Sequence, residues 1–193
     1  MQITRRISPN SLGIGVLVLL LLTGICFAQA KRETLQATAH GQGNQLGMSI
    51  GVTVTIESQS TPEDQKALWQ AFDTGGKQGL LDALVKLSPR GHFSFSGVAE
   101  YEVIYIREFP NPAGRKIRMV ARRPVTRGEA RGYQTFAAYT LSALEFDLGT
   151  ANGKSTGVFL PDCEFSASKE KGIEIETYQN PWRLDEITQH VGK

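Results

Sequence analysis

A regular alternation of apolar and polar residues is the feature that most constrains the fold of this chain. From Met48 to Ile56 every second residue is apolar, and the residues between them are Ser, Gly or Thr. A period of two predicts a strand with one buried face. Similar segments, separated by turn-forming residues, recur after Pro89. We therefore predict a chain dominated by antiparallel hairpins.

The first predicted hairpin joins residues 98–109 to residues 115–123 across the turn Pro110–Gly114. A register in which paired residue numbers sum to 224 brings opposite charges together on one face and apolar side chains together on the other. A shift by one residue would mix the two faces, so this register is favoured. Its pairs are Glu108 with Lys116, Glu102 with Arg122, Tyr105 with Met119, and Val103 with Ala121.

A second hairpin is predicted around Asn152-Gly153, a dipeptide typical of two-residue hairpin turns. This turn would bring Phe146 opposite Phe159. Two further strands are predicted at residues 173–178 and 182–191 from their apolar and β-branched content.

A helical pair is predicted between the first strand and the hairpins. Thr61 followed by Pro62 and Asp64 has the pattern of a capped helix start. Gly75-Gly76 ends the first helix, and leucines at helical spacing over residues 80–87 predict the second.

These elements predict a single α+β domain over residues 48–193. The expected core is an antiparallel meander sheet or half-barrel of about seven to eight strands, with the inserted helical pair packed on one face. Residues 31–47 are polar and contain several glycines, so a tether is predicted there.

Residues 1–30 have the order of a secretory signal peptide. Two arginines precede an apolar run, and Ala28 and Ala30 are the small residues that a signal peptidase reads. We predict cleavage between Ala30 and Lys31, with export through the general secretory route to the periplasm or the extracellular space.

Three alternatives for this segment are weaker. An uncleaved anchor needs about 20 apolar residues, more than this run contains. A lipoprotein needs a small residue before its cysteine, whereas Ile25 precedes Cys26. A twin-arginine signal would export a prefolded protein, but the sequence Ile7–Pro9 after the arginine pair fits that signal poorly. No stable membrane insertion is expected after cleavage.

The net charge and the cysteine content of the mature chain limit the classes of partner and of chemistry that are expected. Removing residues 1–30 takes away two arginines, which are the whole excess of positive charge. A neutral mature chain argues against nucleic acid as a partner. Cleavage also removes Cys26 and leaves Cys163 alone, which excludes an intrachain disulfide. Cys163 lies within a predicted strand and is expected to be a buried apolar residue. The alternative, a nucleophilic thiol, would need a histidine beside it, and none lies near it in sequence.

The familiar catalytic and cofactor-binding motifs are incomplete or absent in this sequence. Gly149–Ser155 resembles a phosphate-binding loop, but it is one residue too short between its glycines and lies between predicted strands. His40, His92 and His190 lack metal-ligand spacing, and no G-x-S-x-G is present. We predict no metal and no cofactor.

Two arginines and two tyrosines are the candidate ligand-binding residues. In the predicted register Arg107 and Arg123 project from the apolar face that also carries Tyr101, Tyr105 and Phe109. A buried guanidinium needs an anionic partner, so these residues are candidates for an acidic ligand. The alternative places the arginines near strand ends, where they reach solvent or pair with an acid such as Glu129 or Glu145. About 20 Å of strand separates the two arginines, too far for one small ligand.

Three segments carry a resemblance to a protein family: Thr61–Leu68, Tyr105–Pro110 and Arg122–Val125. Together they resemble an uncharacterised family of exported bacterial proteins, over roughly residues 51–187. The resemblance implies one fold unit and export, and it implies no catalytic residues.

Two functions stay open at this point. The lack of motifs, the few histidines and the neutral charge favour a small exported binding protein, whose partner is a protein or a small apolar or acidic ligand. The alternative is an exported hydrolase that uses a pair of carboxylates from Glu129, Glu145 and Asp162.

Overall fold

The computed structural model describes residues 32–96, 100–112, 114–125, 141–149, 154–179 and 181–192. The predicted signal peptide, with Ala28, Ala30 and Lys31, lies outside the described residues. The elements in chain order are β1 (Glu33–Gly41), β2 (Ser49–Ile56), α1 (Pro62–Leu84), β3 (Gly91–Phe95), β4 (Tyr101–Asn111), β5 (Gly114–Ala121), β6 (Leu141–Leu148), β7 (Thr156–Ser168), β8 (Gly172–Gln179) and β9 (Trp182–Val191). Within the described ranges, no helix has the length and apolar character needed to cross a membrane.

Eight of these strands close into an antiparallel barrel. Strands β1 to β7 pair in sequence order, and β9 closes the ring because it pairs with both β7 and β1. β8 pairs with the far half of β7, outside the ring. The predicted β-rich antiparallel α+β fold is confirmed, whereas the open meander or half-barrel is wrong. Closure comes from pairing between the two ends of the chain, which local alternation does not encode.

The segment predicted as a polar tether contains a strand of the barrel. β1 lies between β2 and β9, and its residues Leu35, Ala37 and Ala39 are buried. The prediction of a tether over residues 31–47, with the domain starting at residue 48, is therefore wrong. Two of these three buried residues of β1 are alanines. Because alanine is only weakly hydrophobic, the alternation of apolar and polar residues is difficult to detect in the sequence.

Aromatic side chains fill much of the barrel interior. Phe93, Phe95, Tyr101 and Phe159 contact one another with ring centroids between 4.9 and 6.0 Å apart. Such clusters contribute beyond their buried area through offset and edge-to-face geometry. The interior is thus a packed core.

A bend divides α1 into two arms. The predicted capping box is present, since Thr61 Oγ1 accepts a hydrogen bond from the Asp64 amide at 3.1 Å and the Asp64 carboxylate accepts one from the Thr61 amide at 2.9 Å. Gly76 interrupts the helix with φ 60° and ψ −150°. The arms meet where Gly79 approaches the carbonyl of Ala71, a contact with no room for a β-carbon. The break at Gly76 thus separates two helical arms, so the predicted helical pair with its boundary at Gly75-Gly76 is confirmed.

A second core lies outside the barrel wall, under α1. The β7–β8 hairpin extends past the barrel and turns back over the outer side of β4 and β5, where its turn contacts Arg107 and Arg118. Three leucines of α1, Leu68, Leu80 and Leu84, are buried against this hairpin and the outer face of the wall. The helix is thus packed on one face, as predicted.

A β-bulge changes the register between β4 and β5. Val103 pairs with Ala121 as predicted, but beyond the bulge the pairing moves by one residue, so Tyr105 lies opposite Val120. The extra residue places both Ile104 and Tyr105 on the outer side of the wall. The prediction of a single register for this hairpin is therefore wrong beyond Val103.

Three other predicted features can be compared with the described strands. Glu102 and Arg122 form the predicted ion pair. Phe146 lies opposite Gly157, not Phe159, so the predicted register of the second hairpin is wrong. Its turn at residues 152–153 lies outside the described residues, and β8 and β9 confirm the two last predicted strands.

Candidate functional site

The four predicted ligand-binding residues separate into two pairs on the two sides of the barrel wall. Tyr101 belongs to the interior core, whereas Tyr105 belongs to the outer core. Arg123 lies with Tyr101, and Arg107 lies with Tyr105. The bulge at Ile104 causes this separation, because it reverses the alternation along β4. The expectation that all four share one face is therefore wrong.

The Tyr101–Arg123 pair is a packing contact at the rim of the barrel. The guanidinium carbon of Arg123 lies 4.4 Å from the centroid of the Tyr101 ring, which also stacks on Phe93 at 4.9 Å. Arg123 is exposed and follows the end of β5. This matches the alternative interpretation, in which a strand-end arginine reaches solvent over an apolar surface.

The Tyr105–Arg107 pair belongs to a larger cationic cluster. The Phe109 ring lies near two guanidinium groups, with centroid distances of 4.9 Å to Arg107 and 5.2 Å to Arg118. The cluster thus consists of Tyr105, Arg107, Phe109 and Arg118. Arg118 is neutralised within the fold, because its guanidinium donates to the carboxylate of Glu145.

Arg107 differs from Arg118 in its electrostatic environment. Among the described residues, no carboxylate lies within 4.0 Å of the Arg107 guanidinium nitrogens, and its one side-chain hydrogen bond is to the Glu170 carbonyl at 3.2 Å. Its Nη1 atom and the Tyr105 hydroxyl are buried without a hydrogen bond of normal geometry. Burial raises the pKa of Tyr105, against the lowering effects of the Ile173 backbone and of Arg107. The Tyr105 phenol therefore stays neutral beside the Arg107 guanidinium, which has no carboxylate partner among the described residues.

The backbone of the β7–β8 turn covers this pair. Gly172 has φ +71°, and a β-carbon there would lie 2.7 Å from the Tyr105 hydroxyl oxygen and still closer to Arg107 Nη1. Glycine is needed on both counts, for its dihedral angle and for the close approach. The sequence carries no signal for the contact of this turn with β4, so the parts played by Gly172 and Arg118 were not predicted.

A groove runs along the free side of Arg107 at the start of α1. It has a volume of about 290 Å³, and its lining residues are Gln59, Ser60, Gln65, Arg107 and Glu108. Its single carboxylate, on Glu108, is already occupied, because it accepts from Arg115 and from the Gln59 amide at 3.1 Å. Of the lining residues, Arg107 alone carries positive charge.

The other predicted reactive groups have structural roles in the described part of the chain. Cys163 is fully buried as predicted, and burial raises the pKa of its thiol. The Glu145 carboxylate bonds to Arg118 and lies 3.6 Å from Lys116 Nζ, while Asp162 is buried on β7. Glu129 lies outside the described residues. The described residues contain no cluster of three or more His, Cys, Asp or Glu side chains suited to hold a metal.

Comparisons with protein-family models, with curated proteins and with solved structures find no match to this chain. Its function is therefore inferred from the geometry of the described residues. That geometry combines a packed antiparallel barrel with a groove beside Arg107 on the outer side of its wall.

Proposed function

We propose that this chain is a small exported protein that binds an acidic partner through the groove beside Arg107. One observation carries the proposal: the Arg107 guanidinium borders an open groove, and no carboxylate of the described residues pairs with it. A partly buried cation is costly without an anion, so an external carboxylate would complete its bonding. Export rests on the signal-peptide pattern of residues 1–30, and a bacterial origin rests on the family resemblance.

The groove offers further groups that suit a carboxylate. The present bond from Arg107 to the Glu170 carbonyl is 3.2 Å long, at the weak end of the usual range, so a charged acceptor would replace it at little cost. Gln65, which also lines the groove, adds an amide that can donate a hydrogen bond. The contact with the Phe109 ring restricts the Arg107 side chain, which reduces the entropy lost on binding.

The surface is a better candidate than the barrel interior, where side chains such as Leu35, Phe93 and Phe146 are fully buried and packed together. No observation favours the hydrolase. The Glu145 carboxylate is held by Arg118 and Lys116, as in a structural ion-pair network.

The proposal can be tested with an oligoglutamate peptide as the probe and an oligoglutamine peptide of equal length as its neutral control. Binding to the full chain is measured by fluorescence anisotropy at low salt. The Arg107→Gln variant should weaken oligoglutamate binding about tenfold or more, because a charged hydrogen bond contributes roughly 1.5–3 kcal/mol. The matched control is Arg183→Gln, which removes the same charge from an exposed arginine paired with Asp185.

Equal losses in the two variants would show that only net charge matters and would contradict a site at Arg107. Equal binding of the two peptides to the wild-type protein would contradict an acidic partner altogether.

A further inference from the structure

The second half of β4 has one edge that is free of strand pairing. β3 pairs only with Tyr101–Val103, whereas β5 continues along the other edge of β4 as far as Asn111. From Arg107 onward, none of the described strands pairs with the edge of β4 that faces away from β5. The groove beside Arg107 lies along this free edge, since Arg107 and Glu108 both line it.

Ser60 marks the point where the free edge begins. Its amide donates to the Ile106 carbonyl at 2.8 Å, and its hydroxyl oxygen accepts from the Ile106 amide at 3.0 Å. Both backbone groups of Ile106 therefore point away from β5. The register of β4 with β5 is regular from Tyr105 onward, and backbone groups of alternate residues point to the same edge of a strand. The amide and the carbonyl of Glu108 thus point to the free edge as well.

The backbone of Glu108 is available to a partner. Among the described residues, none forms a hydrogen bond with its amide or its carbonyl on this edge, and the residue is exposed. Pro110 is the next residue with the same orientation, and it offers a carbonyl but no amide hydrogen. The edge therefore provides one complete pair of backbone hydrogen bonds, at Glu108, which suits the end of an extended chain better than a full additional strand.

The position of Ser60 determines which end of a partner chain fits. An antiparallel partner runs towards Ser60, so the residue after the one opposite Glu108 lies opposite Arg107, and a further residue would collide with Ser60. The partner chain must therefore end beside Arg107. Its terminal α-carboxylate would meet a guanidinium that lacks a carboxylate partner among the described residues. A parallel partner would instead bring its α-amino group there, which Arg107 repels.

We propose that the groove binds the C-terminal end of an extended polypeptide, which adds to the free edge of β4 in antiparallel orientation. The backbone of its penultimate residue pairs with Glu108, and its α-carboxylate binds Arg107, with the Gln65 amide as a further donor. This inference rests on the proposed binding of an acidic partner at Arg107 and names the chemistry of that partner. Recognition through backbone groups and a terminal carboxylate makes the site tolerant of different peptide side chains.

The test uses a pentapeptide of alternating threonine and valine, which has no acidic side chain and carries an uncharged dye at its N-terminus. Its binding to the full chain is followed by fluorescence anisotropy. The free acid should bind roughly tenfold or more tightly than the C-terminal amide. N-methylation of the penultimate residue, whose amide faces Glu108, should weaken binding roughly fivefold or more. N-methylation of the last residue is the matched control and should change binding less than about twofold, because that amide points away from β4.

Two protein variants test the location. Arg107→Gln should remove the preference for the acid over the amide, whereas Arg183→Gln, which removes a charge paired with Asp185, should preserve it. The inference is overturned if the free acid does not bind, if the amide binds equally well, or if methylation of the penultimate residue has no effect. In each of these cases, oligoglutamate binding that still depends on Arg107 would leave the proposed acidic partner standing. Loss of that dependence would overturn both proposals.

Discussion

Gly172 in the β7–β8 turn lies directly against the Tyr105 side chain, since a β-carbon at position 172 would be 2.7 Å from the Tyr105 hydroxyl oxygen. The two residues are far apart in sequence, and their contact fastens the external hairpin to the outer side of β4. The same contact closes one side of Arg107 and leaves the other side open to the groove.

Replacing Gly172 with alanine should destabilise the protein by more than backbone strain alone. A residue other than glycine at φ +71° costs about 1–2 kcal/mol, and the new methyl group would also collide with Tyr105 and Arg107. The free energy of unfolding is measured by urea denaturation. Gly43→Ala is the matched control, because Gly43 has φ +60° and open space around it. Equal losses in the two variants would contradict the packed contact.

Leu35 should behave as a core residue, although it lies in a segment whose composition predicts a polar tether. It is fully buried on β1, so Leu35→Ala should lower the free energy of unfolding by about 2–5 kcal/mol. The exposed neighbour Gln36 supplies the control, and Gln36→Ala should change the same quantity by less than about 0.5 kcal/mol. Small and equal effects at both positions would contradict a buried strand here and support the predicted tether.

The Cys163 thiol should be protected from reagents in the folded protein. Burial raises its pKa, so little thiolate forms at neutral pH, and the side chain is fully covered. In a Cys26→Ser background, labelling by an aromatic disulfide reagent should proceed no faster than unfolding. The same protein in concentrated urea should react at once. Rapid labelling without denaturant would show an exposed or activated thiol.

The contact of Glu176 with Lys77 should make a pH-dependent contribution to stability. The hydrogen bond from Lys77 lowers the pKa of Glu176 below its ordinary value of 4.5 in the folded state. A lowered carboxyl pKa stabilises the fold above the unfolded-state pKa, and this contribution is lost as the pH falls through the folded-state value.

The midpoint of thermal unfolding of Glu176→Gln should therefore lie slightly below that of the wild type at pH 7, with the difference vanishing under more acidic conditions. The effect is small because the pair is exposed to solvent. Glu170→Gln, a change at the exposed turn, should show no such trend. A difference between Glu176→Gln and wild type that grows on acidification would contradict the assigned contact.

Local patterns in the sequence predicted several of the elements, although not β1 or β3. The alternation over Met48–Ile56 became β2, and the residues Thr61, Pro62 and Asp64 form the predicted capping box. Both signals are local, since a strand face and a helix cap are set by residues within a few positions of one another. The burial of Cys163 was predicted for the same reason, from its place within a strand.

The candidate site was predicted only in part, since Arg107 and Tyr105 were identified but were placed beside Tyr101 and Arg123. The single extra residue of the bulge moved them to the other side of the wall, and the hydrophobic pattern tolerated either side because both are buried. The sequence by itself determined β2, the capped start of α1, the glycine break between its arms and the last two strands, through periodicity, capping and turn residues. Only the tertiary structure decided the closure of β9 on β1, the side of the wall on which Arg107 lies, and the covering of Tyr105 by Gly172. Those features depend on contacts between residues distant in sequence, whose cost in chain entropy is repaid only when the whole barrel forms.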